Sequence, residues 1–189
     1  LKNYLGKGTL EFSKTDLVNG KEIPNVKLEI YTEDNILAFS GITDENGKIV
    51  IDDLPFGKYY IKETEAATGY LLSDEIVFFE IKEDDEIVKA NMTNEKIIGE
   101  LHFKKSDLST SEPLPNTLIE IYNEETDELV FSGRTDEFGE IIIHELEYGK
   151  YYILEKEAPV GYTLNPEKMN FEIKEDGETI KELPALIKL

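Results

Sequence analysis

Three polar residues stand where strand patterning calls for apolar ones. In Leu10-Glu11-Phe12-Ser13-Lys14-Thr15-Asp16, apolar residues alternate with polar ones, the signature of a half-buried strand. Side chains two apart share a face, so Lys14 lies in phase with Leu10 and Phe12. In Tyr59-Tyr60-Ile61-Lys62-Glu63 the face of Tyr59 and Ile61 ends in Glu63. In Val88-Lys89-Ala90-Asn91-Met92-Thr93-Asn94 the face of Val88, Ala90 and Met92 ends in Asn94. An amine, a carboxyl and a carboxamide are thus aimed into one core, where an unpartnered charge is costly. The chemistry open to them is amide exchange: a neutral amine attacks the carboxamide carbon and ammonia leaves. Burial favours the uncharged amine. It also favours an un-ionised acid at Glu63, able to donate a hydrogen bond to the Asn94 carbonyl and to shuttle the proton that ammonia needs. Folding supplies proximity, worth roughly 7–11 kcal/mol of barrier in well-oriented intramolecular reactions. Such a crosslink forms once per molecule, so the chain is not expected to be an enzyme. The plainer alternative is a buried Lys14–Glu63 ion pair with Asn94 hydrogen-bonded beside it.

The elements that must position these residues come twice. Gly8–Leu17 matches Gly99–Leu108, Phe39–Glu45 matches Phe131–Glu137, Gly57–Ile61 matches Gly149–Ile153, and Phe79–Asp84 matches Phe171–Asp176. The period of roughly 91–92 residues is domain-sized. The reading is two domains, 1–97 and 98–189. In the first copy short strands centre on Leu10–Lys14, Val26–Tyr31, Leu37–Ser40, Lys48–Ile51, Lys58–Glu63, Glu75–Ile81 and Ile87–Thr93. Asn19-Gly20, Asn46-Gly47 and Pro55-Phe56-Gly57 supply the turns. About seven short strands per copy predict an all-β chain of two tandem antiparallel β-sandwiches, without helices. No Gly/Ser/Pro-rich linker separates the copies, and a connection that short restricts the angle between them.

Composition narrows the partners. The net charge is −21, and binding to nucleic acid or an anionic membrane needs a basic patch; neither partner is expected. The charge itself reads as a solvated, self-repelling surface. Cysteine is absent, which excludes disulfides, thiolate metal sites and cysteine nucleophiles. No cofactor or metal site is expected: Asp44-Glu45-Asn46-Gly47 lacks the further ligands of a calcium loop and reads as a hairpin turn. His102 and His144 read as surface residues. Tyr59-Tyr60 and Tyr151-Tyr152 should each place one ring in the core and one outside. The chain begins at Leu1 and reads as a piece of a longer protein.

Lys14-Thr15-Asp16, Thr43-Asp44-Glu45-Asn46-Gly47, Gly57-Lys58-Tyr59-Tyr60-Ile61-Lys62-Glu63-Thr64, Gly69-Tyr70 and Thr93-Asn94-Glu95-Lys96 occur in an order that resembles collagen-adhesin B-type (CnaB, SpaA-like, prealbumin-like) domains of Gram-positive surface proteins. Glu157-Ala158-Pro159-Val160-Gly161-Tyr162 extends the resemblance into the second copy. The resemblance covers nearly the whole chain and implies an Ig-like or prealbumin-like sandwich. It implies a stalk segment of an adhesin or pilus subunit, held at the cell surface through cell-wall anchoring regions outside this chain. It also implies an isopeptide bond between Lys14 and Asn94, promoted by Glu63. Implied partners are neighbouring domains of the same surface protein, with host extracellular-matrix protein or glycan for the alternative, a binding module acting through loops at the sandwich ends. The isolated fragment is expected to be monomeric.

The second copy departs from this pattern. Lys105 is in phase with Leu101 and Phe103, and Glu155 with Tyr151 and Ile153, but Asn94 aligns with Leu186 or Ile187. Either Lys105 and Glu155 form an unreacted pair or the acceptor lies beyond Leu189. The favoured reading is no bond within this chain. Asn170, between inward-facing Met169 and Phe171, should face solvent.

Overall fold

The computed structural model describes residues 4–181, and among these every regular element is a strand. The chain divides into two compact units at Lys96/Ile97. In the first, β1 (Lys7–Asp16), β2 (Lys27–Thr32), β3 (Leu37–Ile42), β4 (Lys48–Pro55), β5 (Gly57–Glu65), β6 (Ile76–Ile81) and β7 (Glu86–Asn94) form two sheets. One has the order β4-β1-β7, the other β3-β2-β5-β6. Leu10, Phe12, Leu28, Ile30, Ile49, Ile51, Ile61, Ile81 and Met92 fill the space between them. Each comes from one parity of its strand, as sheet-on-sheet packing requires.

One pairing departs from the antiparallel expectation. β1 and β7 run parallel, with Lys14 opposite Met92 and Asp16 opposite Asn94. A parallel pair needs a long connection, and here the connection is the rest of the domain. A local turn signal cannot encode it.

The second unit repeats the plan with β8 (Ile98–Lys104), β9 (Leu118–Asn123), β10 (Leu129–Arg134), β11 (Glu140–Glu147), β12 (Gly149–Glu157), β13 (Met169–Ile173) and β14 (Thr179–Ile180). Its sheets are β11-β8-β14 and β10-β9-β12-β13. β14 again lies parallel to β8, but only Thr179 and Ile180 pair, opposite Glu100 and Leu101.

The Asn46-Gly47 turn does more than join β3 to β4. The Gly47 carbonyl accepts the Lys14 N–H at 2.7 Å. Gly47 has φ +66, and a Cβ there would lie 2.6 Å from the Lys14 carbonyl oxygen. Only glycine combines that dihedral with that approach. The Asp44 carboxylate accepts the N–H groups of Asn46 and Lys48, so the acidic stretch serves its own turn.

Candidate functional site: a buried amine, acid and amide

β1 and β7 deliver Lys14 and Asn94 from one sheet, and β5 delivers Glu63 from the facing sheet. Their relative exposures are 0%, 3% and 3%, so all three lie in the core. Lys14 Nζ is 2.5 Å from Glu63 Oε2 and donates a long 3.4 Å bond to the Thr93 carbonyl, next to Asn94 in the chain. Asn94 Nδ2 donates to Glu63 Oε1 at 2.8 Å and to the Leu71 carbonyl at 3.0 Å. The Ser73 N–H reaches Glu63 Oε1 at 3.5 Å. One carboxyl group therefore touches the amine with one oxygen and the amide with the other.

Electrostatics favours a reactive amine. Burial pulls Lys14 below the usual lysine range, and the hydrogen bond and charge of Glu63, with a smaller contribution from Glu75, oppose this without cancelling it. The cause is desolvation of the ammonium.

The amide is oriented differently from the expectation. Glu63 was expected at the Asn94 carbonyl, but it meets the amide nitrogen, the atom that would leave in an amide exchange. The Leu71 carbonyl explains this, because it can only accept and so needs the amide N–H on its side. Asn94 Oδ1 is left buried without a hydrogen-bond partner among the described residues, a costly arrangement for a polar atom.

Two further residues complete the surroundings. Asp16 is buried and accepts the Val18 and Asn19 N–H groups at 2.8 and 3.1 Å, and the Tyr70 hydroxyl at 3.1 Å. Burial alone would raise its pKa; the Asn19 and Val18 N–H groups, Tyr70 and Lys96 outweigh it and hold the carboxyl below the usual range. Its place two residues after Lys14 on the same face was the sequence signal for it. The Leu71 carbonyl carries no side-chain signal.

In the second unit Lys105 Nζ and Glu155 Oε2 are 2.9 Å apart. Lys105 is about a fifth exposed, 21% for its side chain against 0% for Lys14. Leu186 and Ile187 lie outside the described residues. Asn170 is exposed and donates to Glu124.

Surface residues also differ from the sequence reading. His102 and His144 both contact Glu100, at 3.2 and 2.7 Å, and hold its carboxyl below the usual range. Glu100 lies two residues before His102 on the same strand, a spacing that could have found it. Tyr60 points outward as expected, but Tyr152 is buried: Tyr122 stacks on it at 5.2 Å and Lys168 Nζ lies 3.8 Å over its ring. The first unit has the matching stack, Tyr31 on Tyr60 at 5.2 Å, continued by Phe78 at 6.0 Å. There Phe78 stands opposite Tyr60 where Asn170 stands opposite Tyr152. Phe78 is 76% exposed. A groove of about 640 Å³ beside it is bounded by Glu33, Asn35, Lys58, Tyr60, Lys62 and Ile76, among others.

Two sandwiches, each with parallel first and last strands and a lysine–glutamate contact, buried in the first unit and partly exposed in the second, define a recognisable class. The SpaA family of prealbumin-like fold domains matches residues 8–96 and again 99–183. The chain belongs to this family, as two tandem members. Among solved structures it is similar to the Bacillus anthracis TIE protein, at 42% identity and TM-score 0.86, over 94% of this chain and 34% of that one. It therefore spans about a third of that protein. It also shares its fold with the pilus adhesin SpaC of Lactobacillus rhamnosus GG, at 15% identity and TM-score 0.64, over 88% of this chain and 26% of that one. Among curated proteins none matches.

Proposed function

We propose that the chain is a structural stalk segment of a Gram-positive surface adhesin or pilus protein, and that its first domain locks itself with a Lys14–Asn94 isopeptide bond. The observation that carries this reading is Glu63 bridging the buried amine and the buried amide. In the reaction the Lys14 Nζ–Asn94 Cγ bond forms and the Cγ–Nδ2 bond breaks. Glu63 enters as the un-ionised acid: the proton it carries on Oε1 passes to Nδ2, which leaves as ammonia, while Oε2 takes a proton from Nζ and restores the acid. The two oxygens already face the two nitrogens, so the carboxyl group does not have to move between these duties. The product amide cannot ionise, which removes the cost of burying a titratable amine.

In the second domain Lys105 and Glu155 are an unreacted pair within this chain. Partners of the stalk are the neighbouring domains of the same surface protein, and its place is the cell exterior, anchored to the wall through other regions. Intact mass decides the crosslink. The wild-type chain should weigh one ammonia less than its sequence, and Lys14→Ala and Asn94→Ala should each restore the calculated mass. A wild-type chain of full calculated mass sinks the crosslink.

The open Tyr31–Tyr60–Phe78 ladder favours a second reading, a binding module. An exposed aromatic floor with a polar rim of mixed charge suits a neutral saccharide, which stacks its apolar face and hydrogen-bonds at its edges. The ladder lies on the β3-β2-β5-β6 sheet face rather than at loop tips. Glycan-array binding that Phe78→Ala and Tyr60→Ala abolish, with the mass loss intact, would establish that role; an array without hits removes it.

A further inference from the structure

Glu63 meets Asn94 at its amide nitrogen, and the structure shows what holds the amide that way. The Leu71 carbonyl takes one Nδ2 hydrogen at 3.0 Å while Glu63 Oε1 takes the other at 2.8 Å. Leu71 belongs to the connection between β5 and β6, which has no regular structure of its own apart from the Tyr70–Lys96 bridge. Two bonds fasten it close to the Leu71 carbonyl. The Leu71 N–H donates to the Glu95 carbonyl at 2.9 Å. The Tyr70 hydroxyl donates to Asp16 Oδ2 at 3.1 Å. Asp16 is itself fixed: its other oxygen accepts two backbone N–H groups, it is 2% exposed, and Lys96 Nζ stands 4.0 Å away. Its backbone lies opposite Asn94 in the parallel β1–β7 pair.

We propose that Asp16 and Tyr70 form a positioning latch for the crosslink. By pinning the Leu71 carbonyl against the end of β7, they turn the Asn94 amide so that its leaving nitrogen, and not its oxygen, meets Glu63. This rests on the isopeptide reading above and assigns the two residues no contact with the reacting atoms. Without the latch, the Leu71 carbonyl is held less firmly against the end of β7 and the amide can flip. A flipped amide would give its buried oxygen a partner if Glu63 were protonated, but would leave the departing nitrogen without a proton source. A cleft of about 310 Å³ bounded by Leu71, Ser73, Glu75, Thr93 and Asn94 adjoins the amide and gives released ammonia a way out.

The second domain supplies a matched control. There the Tyr162 hydroxyl bonds to Asp107, whose carboxyl is likewise held low, most strongly by the Thr110 and Ser109 N–H groups. No isopeptide bond is proposed there within this chain.

The test follows the full chain through cell-free synthesis, sampled over time by intact mass. Tyr70→Phe removes one hydroxyl and should slow ammonia loss by roughly tenfold to a hundredfold, the scale set by misplacing a reacting group. Tyr162→Phe should leave the rate unchanged. In parallel, the Asn94 side-chain amide is observed by NMR in a Lys14→Met chain, which cannot crosslink. Adding Tyr70→Phe should shift its two proton signals and speed their exchange with solvent. A Tyr70→Phe chain that crosslinks at the wild-type rate overturns the proposal. So does a slowed one whose Asn94 amide signals are unmoved, because that outcome marks a purely structural hydroxyl. If the wild-type chain keeps its full mass, the crosslink falls, and the amide signals alone decide whether the latch orients Asn94.

Discussion

In the uncrosslinked fold Lys14 gives up its proton more readily than an ordinary lysine at 10.5, because burial outweighs the pull of Glu63. The unfolded chain restores the ordinary value. Between the two, the unfolded state binds a proton that the folded state does not, so stability rises with pH across that window. The penalty is complete below the folded value and has gone once pH passes 10.5. An Asn94→Ala chain, which cannot crosslink, should therefore gain first-domain stability in urea titrations as pH climbs toward that value. The wild type, with Nζ tied up in an amide, should lack this slope. Equal slopes in the two chains would mean that Lys14 still titrates in the wild type. Lys14, Glu63 and Asn94 were legible in the sequence because a strand repeats every two residues and polar groups in the apolar phase stand out. The direction of the Asn94 amide was not, because it depends on a backbone carbonyl from a loop distant in sequence. The sharing of Glu100 by two histidines was half legible, since only His102 is near it along the chain.

Strand positions followed from alternation and turn residues, and β1 to β7 lie over the segments so identified. Strand direction did not, since whether the first and last strands run together or opposed is set by the path of the whole domain. That direction is what brings Lys14 and Asn94 to the same end of one sheet, with Glu63 above them on the other. The β3–β4 turn supports the same end. Gly47→Ala must place a Cβ at φ +66 against the Lys14 carbonyl. It should cost about 1–3 kcal/mol, read as a lowered urea midpoint, and should slow ammonia loss because Lys14 is displaced. An unchanged midpoint would show that the turn tolerates a side chain. The buried Tyr152 escaped the alternation rule for a related reason: its strand parity points outward, and a neighbouring tyrosine and a lysine then cover it.

For the whole molecule, the repeat made two domains evident, and the family match covers both copies. The proposed crosslink would make the two unequal in strength. Closing a loop of about 100 residues stabilises by roughly 4–5 kcal/mol in the analogous case of a disulfide. For domains of this size that separates melting temperatures by roughly 15–40 °C. Calorimetry should show two transitions, and Asn94→Ala should move the upper one down while leaving the lower in place. A single transition insensitive to Asn94→Ala would contradict the unequal pair. The parallel pairing of β1 with β7 also has a consequence in time. The attacking nitrogen arrives with the domain's opening strand and its target with the closing one, so nothing can be sealed until every strand between them has been made and has found its place. Contacts that distant along a chain form late. A copy that misfolds keeps amine and amide apart and stays open to proteolysis, so the proposed seal would select correctly built copies for permanence.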